Sequence, residues 1–451
     1  MTFDHARWQA RLDELAGAHR VPGAALAVLA EGEVHELATG VLHRGTGVAT
    51  TVDSLFQIGS VSKVYTATLV AQLVEEGELE LDAAVVSVLP EFALADAEAT
   101  KSVTVRQLLN HTSGIDGDFF HDTGRGDDCV AKYVEACAGL RQNHAPGATM
   151  SYCNSGFNIL GRIVEVATGQ VWDEVLRERI VEPLGLTHTV TLPEEVLRFR
   201  AAMGHTGEPG VDPEPAPVWS LPRSIGPAGG VVASAADVVR FAEAHLGGGL
   251  APDGTRLLRA ETVAAMTSPE VEVPNRWRGP SHWGLGWELF DWPGGPVFGH
   301  SGATIGQYAY LTAVPGTGVA IALLTNGGQV DGLHGALTHE LLAESAGVEM
   351  THFAPPPDPP EVDFSRHLGV YRSEGLDFEL TDRDGVLHMS YRWRGETADL
   401  LQPQELDFVA VTDTLFGGRA NEREQWLPLV FYPVGDTAYL HFALRAVPKI
   451  D

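Results

Sequence analysis

The chain has 451 residues, of which 44% are hydrophobic and 20% are charged. This composition predicts two or three folded domains and excludes a disordered chain, which lacks the apolar residues needed for a core. The 60 acidic residues against 30 basic ones give a net charge of -30. Such a charge repels phosphate, so neither nucleic acid nor an anionic membrane is expected as a partner.

The N-terminal segment and the cysteines favour a cytoplasmic protein. The chain starts with a polar–apolar helical pattern that lacks a positively charged start and an apolar run, so we expect no signal peptide. No stretch approaches the roughly 18 uninterrupted apolar residues of a membrane span. Cys129, Cys137 and Cys153 have neither zinc-binding nor C-x-x-C spacing, which fits a reducing compartment.

The first three quarters of the chain predict strands at both ends with helices between them. After the first helix, residues 24–42 form two apolar strands, and residues 61–76 form a helix that is apolar on most sides and stops at Gly77. Two late strands and a last helix follow Gly/Pro-rich loops. The remaining predicted elements are helices at 158–167, 235–245, 260–266 and 335–344, and strands at 306–314 and 318–325.

Residues 355–360 contain five prolines, which favour an extended connector. Beyond them, short alternating stretches with Gly/Asp turns predict a small antiparallel barrel or sandwich. The stretches are VYRS, DFELTD, GVLHMSYR, DFVAV, WLPLVFYP and AYLHFALR. The fold class is therefore α+β: an antiparallel sheet flanked by helices with an all-helical subdomain (residues 1–350), a linker (351–363) and a C-terminal barrel or sandwich (364–451).

Ser60 and Lys63 form an S-x-x-K motif, which places an amine one helical turn from a hydroxyl on nearly the same face. Such a lysine can take the serine proton, and the helix N-terminus favours an oxyanion. An isolated S-x-x-K is more often a capping serine beside a solvated lysine. Here VYTATLVAQLV follows Lys63, so the lysine is predicted to be buried and must find a partner or lose its proton.

Tyr152 and Asn154 form a Y-x-N motif before the helix predicted to start near residue 158. A phenol beside an ammonium has a lowered pKa and can shuttle a proton. The commoner role of an isolated Y-x-N is a core tyrosine followed by a turn-forming asparagine. Cys153 between them is interpreted as a spacer.

His300-Ser301-Gly302 is predicted to lie where an apolar segment ends and a strand begins, at the edge of a cleft. Residues 299–303 also partly match the G-x-S-x-G elbow of α/β-hydrolases, which would make Ser301 the nucleophile. That elbow precedes a helix, whereas ATIGQYAYLTAV has the composition of a strand. The elbow is therefore disfavoured.

Taken in chain order, S-x-x-K, Y-x-N and H-x-G resemble the three signature motifs of the penicillin-recognising serine hydrolases. This family includes class C β-lactamases, DD-peptidases, esterases and D-aminopeptidases. The surrounding stretches are also similar to those of the family across most of residues 10–345. They are LFQIGSVSKVYTATLVAQLVEEGELELD, VRQLLNHTSGI, YCNSGFNILGRIVEVATG, PAGGVVASAADVVRFAEAHL and GHSGATIGQY.

The resemblance implies a role for each motif residue. Ser60 is the acylated nucleophile, Lys63 its proton acceptor, Tyr152 the proton shuttle to the leaving group, and Asn154 orients Lys63 and the substrate amide. The backbone N–H groups of Ser60 and Ala303 form the oxyanion hole. His300 departs from the lysine that holds the substrate carboxylate in β-lactamases and DD-peptidases, so carboxylate capture is weakened and β-lactamase activity is disfavoured.

Within the family, the penicillin-binding-protein-type thioesterases are similar in their H-x-G motif, lack of export signal and C-terminal lipocalin-like barrel. They release and cyclise nonribosomal peptides, so this resemblance implies a peptidyl thioester substrate, presented by a peptidyl carrier protein. It also implies that Gly230 helps to bind the acyl peptide and that Arg445 reaches from the barrel to hold a terminal carboxylate. A solvated arginine at a strand end is the commoner alternative for Arg445.

Two other functions fit the same residues. One is a cytosolic carboxylesterase or D-amino-acid peptidase that uses the same residues. The other is a non-catalytic acyl-peptide sensor that becomes acylated without releasing product. No cofactor is expected, and the 18 histidines include no H-E-x-x-H pattern, so no metal is expected either.

Overall fold

The computed structural model describes residues 3–208, 210–277, 279–394, 403–419 and 425–450. A single 3-10 turn, Gly59–Val61, precedes the second helix. The helices are α1 His5–Ala18, α2 Ser62–Glu76, α3 Val85–Val88, α4 Ala97–Ser102, α5 Val105–Leu109, α6 Cys129–Ala136, α7 Asn154–Thr168, α8 Trp172–Leu176, α9 Pro193–Val196, α10 Gly226–Gly229, α11 Ala235–Leu246, α12 Ala260–Met266 and α13 Val330–Ala346.

The strands fall into two large sheets and two small ones. Those before the proline-rich segment are β1 Gly23–Ala30, β2 Glu33–His43, β3 Val48–Ala49, β4 Phe56–Gln57, β5 Thr189–Val190, β6 His205–Thr206, β7 Glu214–Pro215, β8 Val232–Ala233, β9 Val271–Glu272, β10 His282–Trp283, β11 Glu288–Trp292, β12 Gly295–Ala303, β13 Tyr308–Val314 and β14 Val319–Thr325. Those after it are β15 Gly369–Arg372, β16 Leu376–Arg383, β17 Val386–Trp393, β18 Gln404–Ala410, β19 Leu415–Gly418, β20 Leu427–Val434, β21 Thr437–Phe442 and β22 Arg445–Pro448.

The main sheet has nine antiparallel strands in the order β3-β2-β1-β14-β13-β12-β11-β10-β9. Strand β1 pairs with β14, so Ala24 lies opposite Thr325 and the two ends of this part of the chain meet in the sheet centre. Helices α1 and α13 cover one face through a cluster that includes Trp8, Leu12 and Leu337. The other face packs against α11 and the helical region around α2 and α7. The predicted antiparallel sheet between helices is confirmed.

Strands β15 to β22 form an eight-stranded antiparallel sheet in chain order. A bridge between Tyr371 and Lys449 joins its two ends, so the sheet closes almost completely into a barrel. Buried aromatic and aliphatic side chains, among them Phe378 and Phe431, fill its interior. Closure removes most of the open edge that such a sheet would otherwise expose. The predicted C-terminal barrel is confirmed.

Four element predictions need correction. The helix predicted at 335–344 extends over Val330–Ala346 and so begins five residues earlier, with Gly332 and Gly335 inside it. The helix predicted from residue 158 begins at Asn154, because the Cys153 thiol accepts a hydrogen bond from the Gly156 N–H and caps it. His300 lies inside β12 rather than before a strand. The stretch AYLHFALR, read as one strand, is a hairpin that turns at Ala443 and Leu444, both with positive φ.

The segment predicted as the linker, residues 351–363, contains no helix or strand. Helix α13 ends before it and β15 begins after it. The domain boundaries themselves stay predictions. Within the described residues, no helix has the length and apolar character needed to cross a bilayer.

Candidate active site

Ser60 and Lys63 meet at the start of α2. The Lys63 Nζ lies 2.9 Å from the Ser60 Oγ, in the 3-10 turn that leads into the helix. Two further oxygens accept hydrogen bonds from Nζ: the Asn154 Oδ1 at 2.8 Å and the Ala228 carbonyl at 2.7 Å. Thus the Ser60 hydroxyl does not cap the helix, and the lysine is not solvated. The geometry suits proton transfer between the two groups.

Lys63 is fully buried because α2 is surrounded by protein for most of its length. Burial is the largest influence on the pKa of Lys63 and lowers it well below its usual value, and the Arg445 guanidinium lowers it further. Since an unprotonated amine can accept the proton of a hydroxyl, this environment prepares Lys63 to act as a base near neutral pH.

Asn154 links the lysine to an ion pair. Its Nδ2 donates to the Asp118 Oδ1 at 2.7 Å, and Asp118 receives two hydrogen bonds from Arg445, at 2.9 and 3.0 Å. Burial raises the pKa of Asp118, but Arg445 and Asn154 outweigh this effect and the net pKa lies below the usual value. Asp118 is therefore a buried carboxylate, and its negative charge is balanced by Arg445 of the barrel.

Tyr152 is buried beside Ser60, and its ring lies near the side chains of Lys63 and Arg445. The Lys63 Nζ is 4.9 Å and the Arg445 Cζ 5.0 Å from the ring centroid. Its hydroxyl makes no hydrogen bond of good geometry with the described residues. The predicted lowering of its pKa is wrong: burial raises the pKa of the phenol, and the neighbouring Ser60 and Arg445 only oppose this in part. Tyr152 is therefore a protonated phenol that can donate.

His300 is buried and neutral. Burial, followed by the nearby Lys63 charge, lowers its pKa to about 3. Its Nδ1 lies 2.6 Å from the Ser301 carbonyl, which can only accept, so Nδ1 carries the proton and Nε2 is left without a partner among the described residues. A neutral imidazole supplies no charge to hold a carboxylate, in keeping with the departure noted in the sequence.

The nucleophile elbow does not form at Ser301. The residue lies in β12 and is followed by another strand, β13, instead of a helix. Its Oγ lies 3.1 Å from the Glu288 Oε1, to which it donates. Burial raises the pKa of this glutamate to about 7. The Ser301 hydroxyl thus has a carboxyl partner and, among the residues that the structure describes, no imidazole base.

Two glycines allow β12 to approach the turn that carries Ser60. A Cβ on Gly302 would lie 2.0 Å from the Ile58 carbonyl oxygen and 2.9 Å from the Ser60 nitrogen. A Cβ on Gly59, whose φ is +51°, would lie 2.6 Å from the Ala303 nitrogen. The backbone around Ser60 and Ala303 is therefore in direct contact, the arrangement that a two-donor oxyanion hole requires.

These groups open into a cleft of about 710 Å³. Ser60, Tyr152, Asn154 and Ala303 line it, together with four barrel residues: Trp393, Gln425, Leu444 and Arg445. Arg445 therefore lies at the cleft and is not a solvated strand end. Gly230 follows α10 and is not among the lining residues, where Ala228 and Gly229 stand instead.

Sequence reasoning missed Asp118 and Glu288. Asp118 comes shortly after the quoted stretch VRQLLNHTSGI, in the acidic run Asp116-Gly117-Asp118. Glu288 lies in the otherwise apolar stretch GLGWELF. For Glu288, the signal is an acid within an apolar pattern, which points to a buried, paired carboxyl. Within the described part of the chain, no cluster of three or more histidine, cysteine or acidic residues could hold a metal ion.

The cysteines are free and buried. Burial raises the pKa of the Cys153 thiol to about 12, so it stays protonated and unreactive. Its role is to cap α7.

Comparison with known proteins agrees with this site. The family model described as Beta-lactamase matches residues 8–344. The chain is 58% identical to Penicillin-binding protein 4 of Amycolatopsis lactamdurans over 83% of this chain and 99% of that protein. It is 30% identical to Esterase EstB of Burkholderia gladioli, over 74% of this chain and 93% of the esterase.

Similarity to a solved structure extends over both large sheets. The crystal structure of SurE matches with a TM-score of 0.76 and 29% identity, over 99% of both chains, and SurE has also been solved with D-Leu. The chain belongs to the beta-lactamase family, and it is a serine hydrolase of the group that includes the penicillin-binding proteins.

Proposed function

We propose that this chain is a penicillin-binding-protein-type thioesterase, which releases a peptide from a thioester and closes it into a ring. Ser60 is the nucleophile, Lys63 the base and Tyr152 the proton shuttle. The peptide is presented as a thioester on a peptidyl carrier protein in the cytoplasm. The proposed reaction joins the serine chemistry of the family to an amine acceptor within the same peptide.

In the acylation step, Lys63 takes the Ser60 proton while Oγ attacks the thioester carbonyl carbon. The N–H groups of Ser60 and Ala303 hold the oxyanion. The carbon–sulfur bond then breaks, and the departing thiolate receives a proton passed on by Tyr152. The products are a free thiol and a peptidyl ester on Ser60.

In the second step, the amine at the other end of the peptide attacks this ester. The amine loses one proton, an amide bond forms, and Ser60 leaves as a hydroxyl. Water in place of the amine would give a linear acid instead. Cyclisation therefore depends on a cleft that holds the amine close to the ester and limits water.

The observation that carries the proposal is the barrel wall of the cleft. Trp393, Leu444 and Arg445 face the same space as Ser60. The volume of about 710 Å³ suits several residues of a peptide better than a small ester. A wall that encloses a long acyl chain favours ring closure, because the folded-back peptide is held in one place.

Arg445 is the proposed contact for a terminal carboxylate. Arg445 donates three hydrogen bonds within the protein: two to Asp118, and one from Nη1 to the Ala443 carbonyl at 2.7 Å. A guanidinium has more N–H donors than these bonds use. The neutral His300 leaves Arg445 as the cation at the cleft that is best placed for this task. Gly230 stays a proposed peptide contact.

The similarity to SurE supports a substrate that contains D-residues. That structure matches this chain across the catalytic region and the barrel, and it has been solved with D-Leu. A cytosolic carboxylesterase is the second candidate, favoured by the 30% identity with Esterase EstB. Both functions use the same serine as the nucleophile. They differ in the acyl donor and in the acceptor.

The test compares three substrates with the purified full-length chain. The first is a peptidyl thioester with a C-terminal D-residue and a free N-terminal amine, and the second is the same peptide with that amine acetylated. The third is a short p-nitrophenyl ester. Mass spectrometry should detect a cyclic product from the first substrate and only linear acid from the second.

Ser60→Ala is the matched control and should yield neither product. Turnover of the p-nitrophenyl ester alone would contradict the thioesterase proposal and favour the esterase. Acyl-Ser60 that persists without release of product would favour a sensor.

A further inference from the structure

A continuous line of hydrogen bonds connects the barrel to the nucleophile. It runs from Arg445 to Asp118, from Asp118 to Asn154, and from Asn154 through Lys63 to Ser60. Each of these contacts measures 2.7 to 2.9 Å. The inner members are buried: Lys63 is 0% exposed, and the Asp118 side chain is 4% exposed.

The barrel hairpin that carries Arg445 is fixed to the residue beside the motif. The Leu444 carbonyl accepts a hydrogen bond from the Tyr152 N–H at 2.8 Å. The next contact is between the Ala446 N–H and the Ser151 Oγ, at 3.1 Å. The turn places Ala443 and Leu444 at positive φ, a conformation that is costly for both residue types. Such a turn persists because its contacts on the catalytic side hold it.

We propose that Asp118 and Arg445 are positioning residues through which the barrel holds Asn154, and through it Lys63, in the arrangement that takes the Ser60 proton. Neither residue reacts with the acyl group in this role. The inference concerns the serine-hydrolase step itself and does not depend on the cyclisation proposed above.

Geometry and charge act together here. Asp118 fixes the amide of Asn154 so that its oxygen faces the lysine, because its own oxygen accepts from the Asn154 Nδ2. The positive charge of Arg445 balances the negative charge of the Asp118 carboxylate. Without the Arg445 cation, the Asp118 carboxylate would stabilise the protonated form of Lys63, and Lys63 would be a less effective base.

The groups around Lys63 come from several elements. Most of them cannot replace the positive charge that is lost when Arg445 is removed. Burial and Arg445 lower the pKa of Lys63, whereas Asp118 and Glu288 raise it. The Cys153 thiol is protonated and carries no charge. His111 and His300 are close enough to interact with the lysine, but burial lowers the pKa of both imidazoles and keeps them neutral. Tyr152 offers its ring face. Arg445 is thus the cation that opposes the neighbouring carboxylate.

The test measures kcat/KM against pH with a short p-nitrophenyl ester, a substrate without a carboxylate, so that any loss of carboxylate binding by Arg445 has no effect. The acid limb of this profile reports the free enzyme's base. Arg445→Met should move the limb upward by about one pH unit and lower kcat/KM at pH 7 about tenfold. Arg445→Lys keeps the charge but not the paired hydrogen bonds, so the limb should stay in place while the rate falls a few-fold.

The double variant Asp118→Asn/Arg445→Met separates a positioning role from a purely structural one. It removes both charges and retains an amide oxygen for Asn154. Its acid limb should return toward the wild-type position. Arg366→Met is the control, since Arg366 pairs with Asp413 on the exposed part of the barrel, and the profile should not change.

Thermal melting shows whether each variant folds. If Arg445→Met does not fold, the double variant and Arg445→Lys decide the matter in the same assay. An acid limb that stays at the wild-type pH in folded Arg445→Met overturns the inference. The inference is also overturned if the double variant folds and melts at the wild-type temperature but is no more active than variants that lack Lys63.

Discussion

The two sides of the cleft reach the same hydrogen-bond network by different routes. Ser60 and Lys63 meet because they are three residues apart at the start of one helix. Arg445 and Asp118 meet although 327 positions separate them, because a barrel hairpin docks beside the helical region. The first arrangement follows from helix geometry alone. The second depends on packing between distant segments of the chain.

The reacting groups are thus placed by local spacing, whereas the charges around them come from distant parts of the chain. Local spacing brings the hydroxyl and the amine together, but a buried lysine is useful as a base only when the surrounding charges leave it unprotonated. Those charges come from the loop containing Asp118, from β11 and from the barrel. Loss of a local group should therefore abolish the chemistry, while changes in the barrel should adjust it.

The largest expected effect is at the nucleophile. Ser60→Ala should lower turnover of a p-nitrophenyl ester by a factor on the order of 1000 or more, because no other hydroxyl touches the lysine in the part of the chain described. Ser301→Ala is the matched control at the other candidate serine and should keep activity within about tenfold. A collapse of activity in Ser301→Ala with an active Ser60→Ala would reverse the assignment.

Loss of the proton-transfer groups should be next in size. Lys63→Ala and Tyr152→Phe should each lower kcat/KM by a factor on the order of 100. Because burial lowers the pKa of Lys63 well below its usual value, a larger fraction of this amine is unprotonated at neutral pH than for an exposed lysine, and wild-type activity should persist there and fall as the pH drops through the lowered pKa. A pH–rate profile measures this. Near-normal rates in Lys63→Ala would remove the assignment as base.

His300→Ala should be milder, with a loss of about tenfold or less. Burial holds the pKa of this imidazole at about 3, so its charge state does not change between pH 5 and 8. The acid limb of the ester profile should therefore keep its position in this variant. A loss as severe as that of Ser60→Ala would assign His300 a direct part in the reaction.

The smallest effect tests the hairpin turn. Ala443 is exposed and has a φ of +47°, so Ala443→Gly should stabilise the protein by about 0.5–1 kcal/mol in chemical denaturation. Ala264 is an exposed alanine inside α12, and Ala264→Gly should instead destabilise by about 1 kcal/mol. Equal destabilisation by both substitutions would show that the turn conformation costs nothing.

Much of the fold could be predicted because its signals are short in range. Helix α2 and its end at Gly77 follow from an apolar circumference and a glycine in the left-handed region. Helix α12 has the predicted bounds, and the pairing of early and late strands follows from their positions at both ends of the first part.

The errors occur where tertiary contacts replace the usual local signals. A thiol caps α7, although cysteine is not among the preferred capping residues, so the sequence pattern predicts a helix start that is four residues too late. The β21–β22 turn has neither glycine nor asparagine, so the sequence pattern predicts one strand where a hairpin forms. The raised pKa of Tyr152 depends on its burial, which the Y-x-N spacing does not reveal.

The most direct test of the account is to locate the acyl group. The wild-type chain would be mixed with the peptidyl thioester, quenched in acid, digested and analysed by tandem mass spectrometry. We expect the peptide mass on the fragment that contains Ser60, and no such adduct in Ser60→Ala. An acyl group on any other residue, or product formation by Ser60→Ala at the wild-type rate, would contradict it.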